Sequence, residues 1–270
     1  LWNLVPNPES ITGKLDRPLT ENNEHPWQKL RRSITRVMRD AEFLRTLTLV
    51  GIVGKMSIAG VVMFAIPLMM FSQGYKADDV GLMLMFYYIS SMVMTSYVVR
   101  IVDGAGMSRK ALILSAMLGG LAIVVVGLVS QPGSSYETLM AGMEPLVWLS
   151  EQFIEVGMGA SAVVLYIAII LLGISNGLLA APVMTHINNT DVSRKEGIKQ
   201  VAATYVFLER FGHVAGPAVI AHLLFLNNNA PLSISLFGVI MVILGGVYMA
   251  TSGGSERTAS NPVLQSKVTS

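Results

Sequence analysis

The fold is decided by an uncharged stretch near the end of the chain, where Leu232–Thr251 reads LSISLFGVIMVILGGVYMAT. This stretch is 20 residues long and contains no Asp, Glu, Lys or Arg. Because a helix rises about 1.5 Å per residue, roughly 20 apolar residues cross the hydrocarbon core of a bilayer. The stretch therefore predicts a transmembrane helix rather than a β-barrel strand, since polar and apolar residues do not alternate along it.

Five further stretches of the chain meet the same test of length and apolar character. They are Leu44–Phe71, Gly81–Val102, Ala111–Val129, Val156–Ile187 and Val201–Leu226. The first, fourth and fifth spans are longer than a straight crossing needs, which indicates tilt or extension into water. The sequence therefore predicts an all-α membrane protein with six transmembrane helices in a domain covering residues 44–252.

Composition excludes several other classes of protein. The chain is 52% hydrophobic and only 13% charged, whereas soluble chains carry about a quarter charged residues. It has no cysteine, so disulfides and thiolate metal sites are excluded, and its net charge of +2 does not suggest a nucleic-acid partner. No phosphate-binding loop, His/Asp metal pattern or nucleophile with a base is present, so we expect no enzyme activity, cofactor or metal.

Lysine and arginine are distributed unevenly over the connecting segments. One of them, Lys76, lies in the predicted turn after the first span, while 16 lie before the first span, after the second and fourth spans, or in the tail. Because positively charged segments stay on the cytoplasmic side, both termini are predicted to be cytoplasmic. This orientation predicts a multi-pass protein of the inner or plasma membrane.

The ends of the chain are predicted to lie outside the bilayer. Residues 1–43 form a cytoplasmic region in which Leu1–Glu24 is a linker and Pro26–Leu44 a basic amphipathic helix on the membrane surface. Residues 253–270 are polar and rich in Ser and Thr, which predicts a disordered cytoplasmic tail.

Three motifs resemble those of one transporter family. After the second span, Asp103, Gly106, Arg109 and Lys110 resemble the Gly-x-x-x-Asp-Arg-x-Gly-Arg-Arg/Lys signature of the major facilitator superfamily, with Val99 in place of its leading Gly and Gly104 in place of its first Arg. The fifth span contains Gly212-His-Val-Ala-Gly216-Pro217, which is similar to the Gly-x-x-x-Gly-Pro segment of that family. The fourth span contains Gly173 and Gly177, which resemble its glycine-rich fourth helix.

Residues 26–252 thus resemble the C-terminal six-helix half of a major facilitator superfamily transporter, with residues 1–43 similar to its central loop. The resemblance implies a bundle built from two three-helix repeats (3+3). It also implies a secondary active transporter that moves a small organic solute by alternating access, with H⁺ the favoured coupling ion and Na⁺ not excluded. The other six-helix half would come from the same longer chain or from a second subunit. The alternative is a non-transporting sensory or signalling module fused to an upstream domain.

The motif residues also have direct physical interpretations. Asp103 could cap the next helix and pair with Arg109 or Arg210 as a latch on one face, or it could be a solvated turn residue. The glycines permit close helix approach, and Pro217 permits bending. Close packing alone would also explain the glycines.

Several ionisable residues lie well inside predicted spans, where a charge is costly and seldom faces lipid. Lys55 and the pair Glu209 and Arg210 lie at similar depth, and His213 is one turn beyond Glu209. They are candidates for solute binding or proton transfer, together with Asn176 as a neutral contact. The competing interpretation is that Lys55 reaches toward the membrane surface while the other polar groups pair within or between helices.

Overall fold

The computed structural model of the chain describes residues 34–102, 105–130, 160–227 and 229–252. Every regular element in these ranges is helical. The elements are α1 (Ala41–Ser72), α2 (Ala77–Ile101), α3 (Ala105–Val129), α4 (Ala160–Asn188), the short α5 (Asp191–Glu196), α6 (Ile198–Asn227) and α7 (Ala230–Thr251). Residues 1–33, Asp103, the predicted start of the fourth span at Val156, and residues 253–270 lie outside the described residues.

Five helices are long and apolar enough to cross a membrane, namely α1, α2, α3, α4 and α7. The prediction of an all-helical, multi-pass membrane protein is therefore confirmed at this level. The helix corresponding to the fifth predicted span, α6, is 30 residues long but less apolar. Lys199, Glu209 and Arg210 lower its apolar content. That α6 crosses the membrane stays a prediction.

Five of the described helices begin earlier than the apolar stretches predict, and in three of them a polar side chain caps the first turn. Asp40, Asp79 and Asn229 lie at the starts of α1, α2 and α7. Their side-chain oxygens accept hydrogen bonds from the backbone N–H groups of Phe43 (2.8 Å), Lys76 (2.9 Å) and Leu232 (3.1 Å), respectively. Such side chains satisfy N–H groups that have no partner within the helix. Because these capping residues are polar, a prediction based on apolar length alone places the start of each helix too late in the chain.

The long helices alternate in direction along the bundle. We call the near end the one at which α1, α3 and α6 begin and α2, α4 and α7 finish. At this end Arg109, at the start of α3, donates to the Ser252 hydroxyl (2.8 Å), just beyond α7. At the other end Gln73, just beyond α1, donates to the Ser130 carbonyl, just beyond α3 (3.2 Å). The alternation is what short connections between adjacent helices produce.

The helices pack most extensively in four pairs, α3 with α7, α2 with α4, α3 with α4 and α1 with α6. Glycines close these interfaces. A Cβ atom added at Gly177 of α4 would lie 2.6 Å from the Ser91 carbonyl oxygen of α2. One added at Gly238 of α7 would lie 2.7 Å from the Gly120 carbonyl oxygen of α3. Without side chains at these positions the backbones approach closely, as in many membrane helix pairs.

The segment before α1 contacts the bundle. Residues 34–37 form a helical turn, and Val37 is fully buried in a cluster at the near end that includes Ile187 and Val192. Arg36 Nη1 lies 3.1 Å from Glu196 Oε1 of α5. The predicted amphipathic helix Pro26–Leu44 is thus interrupted before Asp40. Its described apolar residue Val37 is covered by protein, because the ends of α4 and α5 present an apolar surface there.

Candidate functional site

An ion pair joins the two helices that carry most of the predicted site. Lys55 Nζ of α1 lies 3.7 Å from Glu209 Oε1 of α6. The side chain of Glu209 is 9% exposed and that of Lys55 24% exposed. Removing either charge from water is unfavourable, and a counter-charge within reach offsets that cost. Each residue therefore offsets part of the free-energy cost of burying the charge of the other.

His213 contacts the same turn of α1. Its Nδ1 atom lies 3.3 Å from the Lys55 carbonyl oxygen, and its ring is half-buried. A carbonyl oxygen only accepts, so the contact assigns the proton to Nδ1. In the neutral ring this leaves Nε2 as an acceptor. The arrangement provides a carboxylate, an ammonium and an imidazole within one turn of the α1–α6 interface.

The backbone of α1 is unusual around Lys55. Thr46–Ile52 and Ser57–Ala65 are π-helical, and Val53–Met56, which carries Lys55, is an α-helical turn between them. Hydrogen bonds in a π-helix skip one residue more than in an α-helix, and such segments are frequent at functional sites. The charged residue of α1 thus lies between two stretches of non-standard helix.

The two predicted glycines of α6 determine how closely it approaches α1. A Cβ atom added at Gly212 would lie 2.8 Å from Lys55 Cβ, and one added at Gly216 would lie 2.8 Å from the Met56 carbonyl oxygen. Both distances are shorter than side chains tolerate. The helix continues without interruption through Pro217. Gly212 and Gly216 therefore provide the close approach that brings Glu209 within reach of Lys55.

Sequence reasoning missed one residue of this interface. Tyr205 lies one turn before Glu209 on α6, is fully buried, and its hydroxyl has no hydrogen-bond partner among the described residues. The ring packs edge-on against Phe43 and covers Gly51 of α1. Its spacing of four residues from Glu209 placed it on the same helix face. That spacing was the available signal.

Two predicted site residues lie elsewhere. Arg210 is exposed and forms no ion pair within the described part of the chain. Asn176 donates from Nδ2 to the Ser91 hydroxyl at 2.9 Å and so joins α4 to α2. Gly173 and Gly177 lie in that same α4–α2 interface. Asn176 thus matches the alternative of a bond between helices.

The residues of the turn motif reach a different helix end. Arg109 donates to the Ser252 hydroxyl and, at 3.4 Å, to the Met249 carbonyl at the end of α7. A cation at a helix C-terminus satisfies carbonyls that have no partner within the helix. Gly106 lies in the first turn of α3, and Lys110 is exposed. The latch between Asp103 and an arginine stays a prediction.

Comparison with known proteins adds no assignment. No protein-family model matches the chain, and searches of curated proteins and of solved structures find no match either.

Proposed function

We propose that this chain is one six-helix half of a secondary transporter that moves a small organic solute by alternating access. The observation that carries the proposal is the Lys55–Glu209 pair, with His213 beside it. Ionisable groups between membrane helices are costly, and where they occur they mark solute and proton pathways. We infer no enzyme activity and no cofactor.

The proposal takes α6 as a sixth span. Its charged residue Glu209 is turned toward α1, and it runs antiparallel to α7, with which it also packs. Six crossings put the start of α1 and the end of α7 on the same side of the membrane. The near end carries the exposed basic residues Arg36, Arg39, Arg100, Lys110, Arg194, Lys195 and Lys199. By the positive-inside rule this end is cytoplasmic, in the inner or plasma membrane.

Three of the four most extensive helix pairs support an inverted repeat. Counted as six long helices, they are first with fifth, second with fourth and third with sixth. Exchanging the first three helices for the last three converts the first–fifth pair into the fourth–second pair and the third–sixth pair into itself. The remaining extensive pair, third with fourth, is converted into first with sixth, which packs less extensively. Many secondary transporters are built from repeats related in this way, with their solute site at the repeat interface.

Charge suggests the class of solute and the coupling ion. Lys55 and the exposed Arg210 favour an anionic or zwitterionic organic solute. Glu209 and His213 are the groups suited to carry a proton. Six helices form one wall of such a pathway, so the partners are the lipid bilayer, the solute and a second six-helix half.

Proton-coupled flux in proteoliposomes tests the proposal. The whole protein that contains this chain is reconstituted with a pH-sensitive dye inside, and carboxylates, phosphate esters and amino acids are added outside in turn. We expect at least one of them to change the internal pH, and Glu209→Gln to abolish the change. Asp78→Asn is the matched control, because Asp78 is an exposed carboxylate in the first turn of α2 that has no part in the proposed pathway. The proposal is overturned if no compound moves protons or solute across the membrane.

One observation favours the alternative of a signalling module. The segment before α1 is attached to the bundle through Val37 and the Arg36–Glu196 pair, so movement of upstream sequence would be transmitted to α4 and α5. A module of this kind would show no flux in the assay above. Neutralising Glu196 would then alter its signalling output.

A further inference from the structure

A second buried polar cluster lies at the near end, away from Lys55 and Glu209. His186, in the last turn of α4, has a side chain that is 7% exposed. Its Nε2 atom lies 3.4 Å from Glu42 Oε1, in the first turn of α1, and 3.4 Å from the Tyr248 hydroxyl, near the end of α7. Three helices distant in sequence therefore meet at one imidazole.

The surrounding hydrogen bonds orient this cluster. The Tyr248 hydroxyl also lies 3.4 Å from the Thr46 hydroxyl, which donates to the Glu42 carbonyl at 2.9 Å. Nε2 of His186 has the Tyr248 hydroxyl as its hydrogen-bond partner, and it forms an ion pair with the Glu42 carboxylate once the ring is protonated. The other ring nitrogen, Nδ1, is buried with no partner among the described residues.

The charges that face His186 act in opposite directions. Glu42 of α1 presents a negative charge to the ring, as do the C-terminal carbonyls of α4 through the helix dipole. Arg109 of α3 presents a positive charge. Tyr248 of α7 contributes a neutral hydroxyl. Glu42 itself lies at the start of α1, where the helix dipole favours a negative charge.

We propose that His186 and Glu42 form a protonation-dependent tie between α4 and α1, completed from α7 by Tyr248. With a neutral ring, Nε2 contacts the Tyr248 hydroxyl and no ion pair joins α4 to α1. With the ring protonated, the imidazolium and the Glu42 carboxylate carry opposite charges 3.4 Å apart and hold the two helix ends together more strongly. The tie is independent of the proposed transport function, because it needs neither solute nor the Lys55–Glu209 pair.

A double-mutant cycle at two pH values tests the tie. The whole protein in lipid nanodiscs is compared with its Glu42→Gln, His186→Gln and doubly changed forms by thermal unfolding at pH 6.0 and 8.5. We expect the loss in Tm caused by Glu42→Gln to be roughly 2–4 °C larger at pH 6.0. In the His186→Gln background that difference should vanish. A loss that is equal at both pH values, or equal in both backgrounds, overturns the proposal.

Two further measurements separate the tie from general effects of pH and folding. Glu196→Gln is the matched control, because Glu196 is a near-end carboxylate paired with Arg36 and, within the described ranges, with no histidine. Its effect should not differ between the two pH values. The second measurement needs no change at His186 and uses ¹⁵N NMR of the histidines in wild-type and Glu42→Gln protein. One of the four should titrate at lower pH once the carboxylate is neutral, and four unchanged titrations overturn the tie.

Discussion

A charged side chain inside an apolar bundle is stabilised by the groups that contact it directly. The α1–α6 interface shows this for both an ion pair and an imidazole. Lys55 and Glu209 neutralise each other's field at 3.7 Å. His213 bonds the backbone of Lys55 rather than its ammonium group, so its contact with α1 does not depend on the ion pair. The Lys55–Glu209 ion pair and the His213 imidazole therefore lie within one turn of the interface, but different contacts fix each of them.

The ion pair predicts a specific pattern of stability. Lys55→Met and Glu209→Gln should each destabilise the protein, because each leaves one charge without its partner. The double change should recover part of that loss, with a coupling of roughly 0.5–3 kcal/mol. Chemical denaturation in detergent measures the free energy of unfolding of all four forms. Strictly additive losses would mean that the two side chains do not interact.

At the level of whole helices, glycines rather than matching apolar stripes determine how closely neighbouring helices approach. In α1–α6 the backbone atoms of Met56 and Gly216 face each other across the interface. The polar site depends on this approach, since Glu209 reaches Lys55 only if α6 lies close to α1. The same glycines therefore determine both the packing of α6 on α1 and the contact between Glu209 and Lys55.

Substitution of one glycine tests this dependence. Gly216→Ala would place a methyl group 2.8 Å from the Met56 carbonyl oxygen, and overpacking of this kind costs about 1–3 kcal/mol. Gly81→Ala is the control, because nothing lies within 4 Å of a Cβ atom added at that helical position. The control should be neutral or slightly stabilising, since Ala favours helix. Equal effects of both changes on Tm would contradict the role assigned to Gly216.

The capping residues show which helix boundaries are local properties. Asp40, Asp79 and Asn229 each bond a backbone N–H group three residues away in the chain. Such contacts follow from short-range sequence alone, and attention to the polar residues flanking each apolar stretch would have predicted them. The interrupted segment before α1 is different, because Val37 is covered by residues about 150 positions away.

At the scale of the whole molecule, the near end is both the basic end and the most interconnected one. Arg45 donates to the Thr251 carbonyl of α7, Arg109 to Ser252, and Arg36 to Glu196. The arginines that the positive-inside rule counts thus also join the helix ends. Orientation in the membrane and cohesion of the bundle depend on the same side chains.

Accessibility tests the proposed orientation. The chain contains no cysteine, so single cysteines introduced at the exposed positions Ser72 and Asp191 report the two ends of the bundle. An impermeant maleimide added to intact cells should label Ser72→Cys but not Asp191→Cys until the membrane is permeabilised. Labelling of both from outside would refute the six-span arrangement with a cytoplasmic near end.

Sequence alone is sufficient to identify an all-helical, multi-pass membrane protein. Uncharged stretches of about 20 residues have one stable form in lipid, since every backbone group must bond within its own helix. The existence of the helices therefore follows from composition along the chain. Depth along a helix also follows, because the rise per residue is constant, and this put Lys55, Glu209 and His213 at comparable levels.

The pairing of helix faces, in contrast, depends on long-range packing and is seen only in the folded structure. Apolar residues surround the helices on buried and exposed sides alike, so hydropathy does not mark the face that meets a neighbour. Asn176 therefore could not be assigned to Ser91 beforehand, nor Tyr205 to Gly51, nor His186 to Glu42. Each of these contacts joins residues 85 or more positions apart, and they form only when glycine-lined backbones have already set the distance between helices.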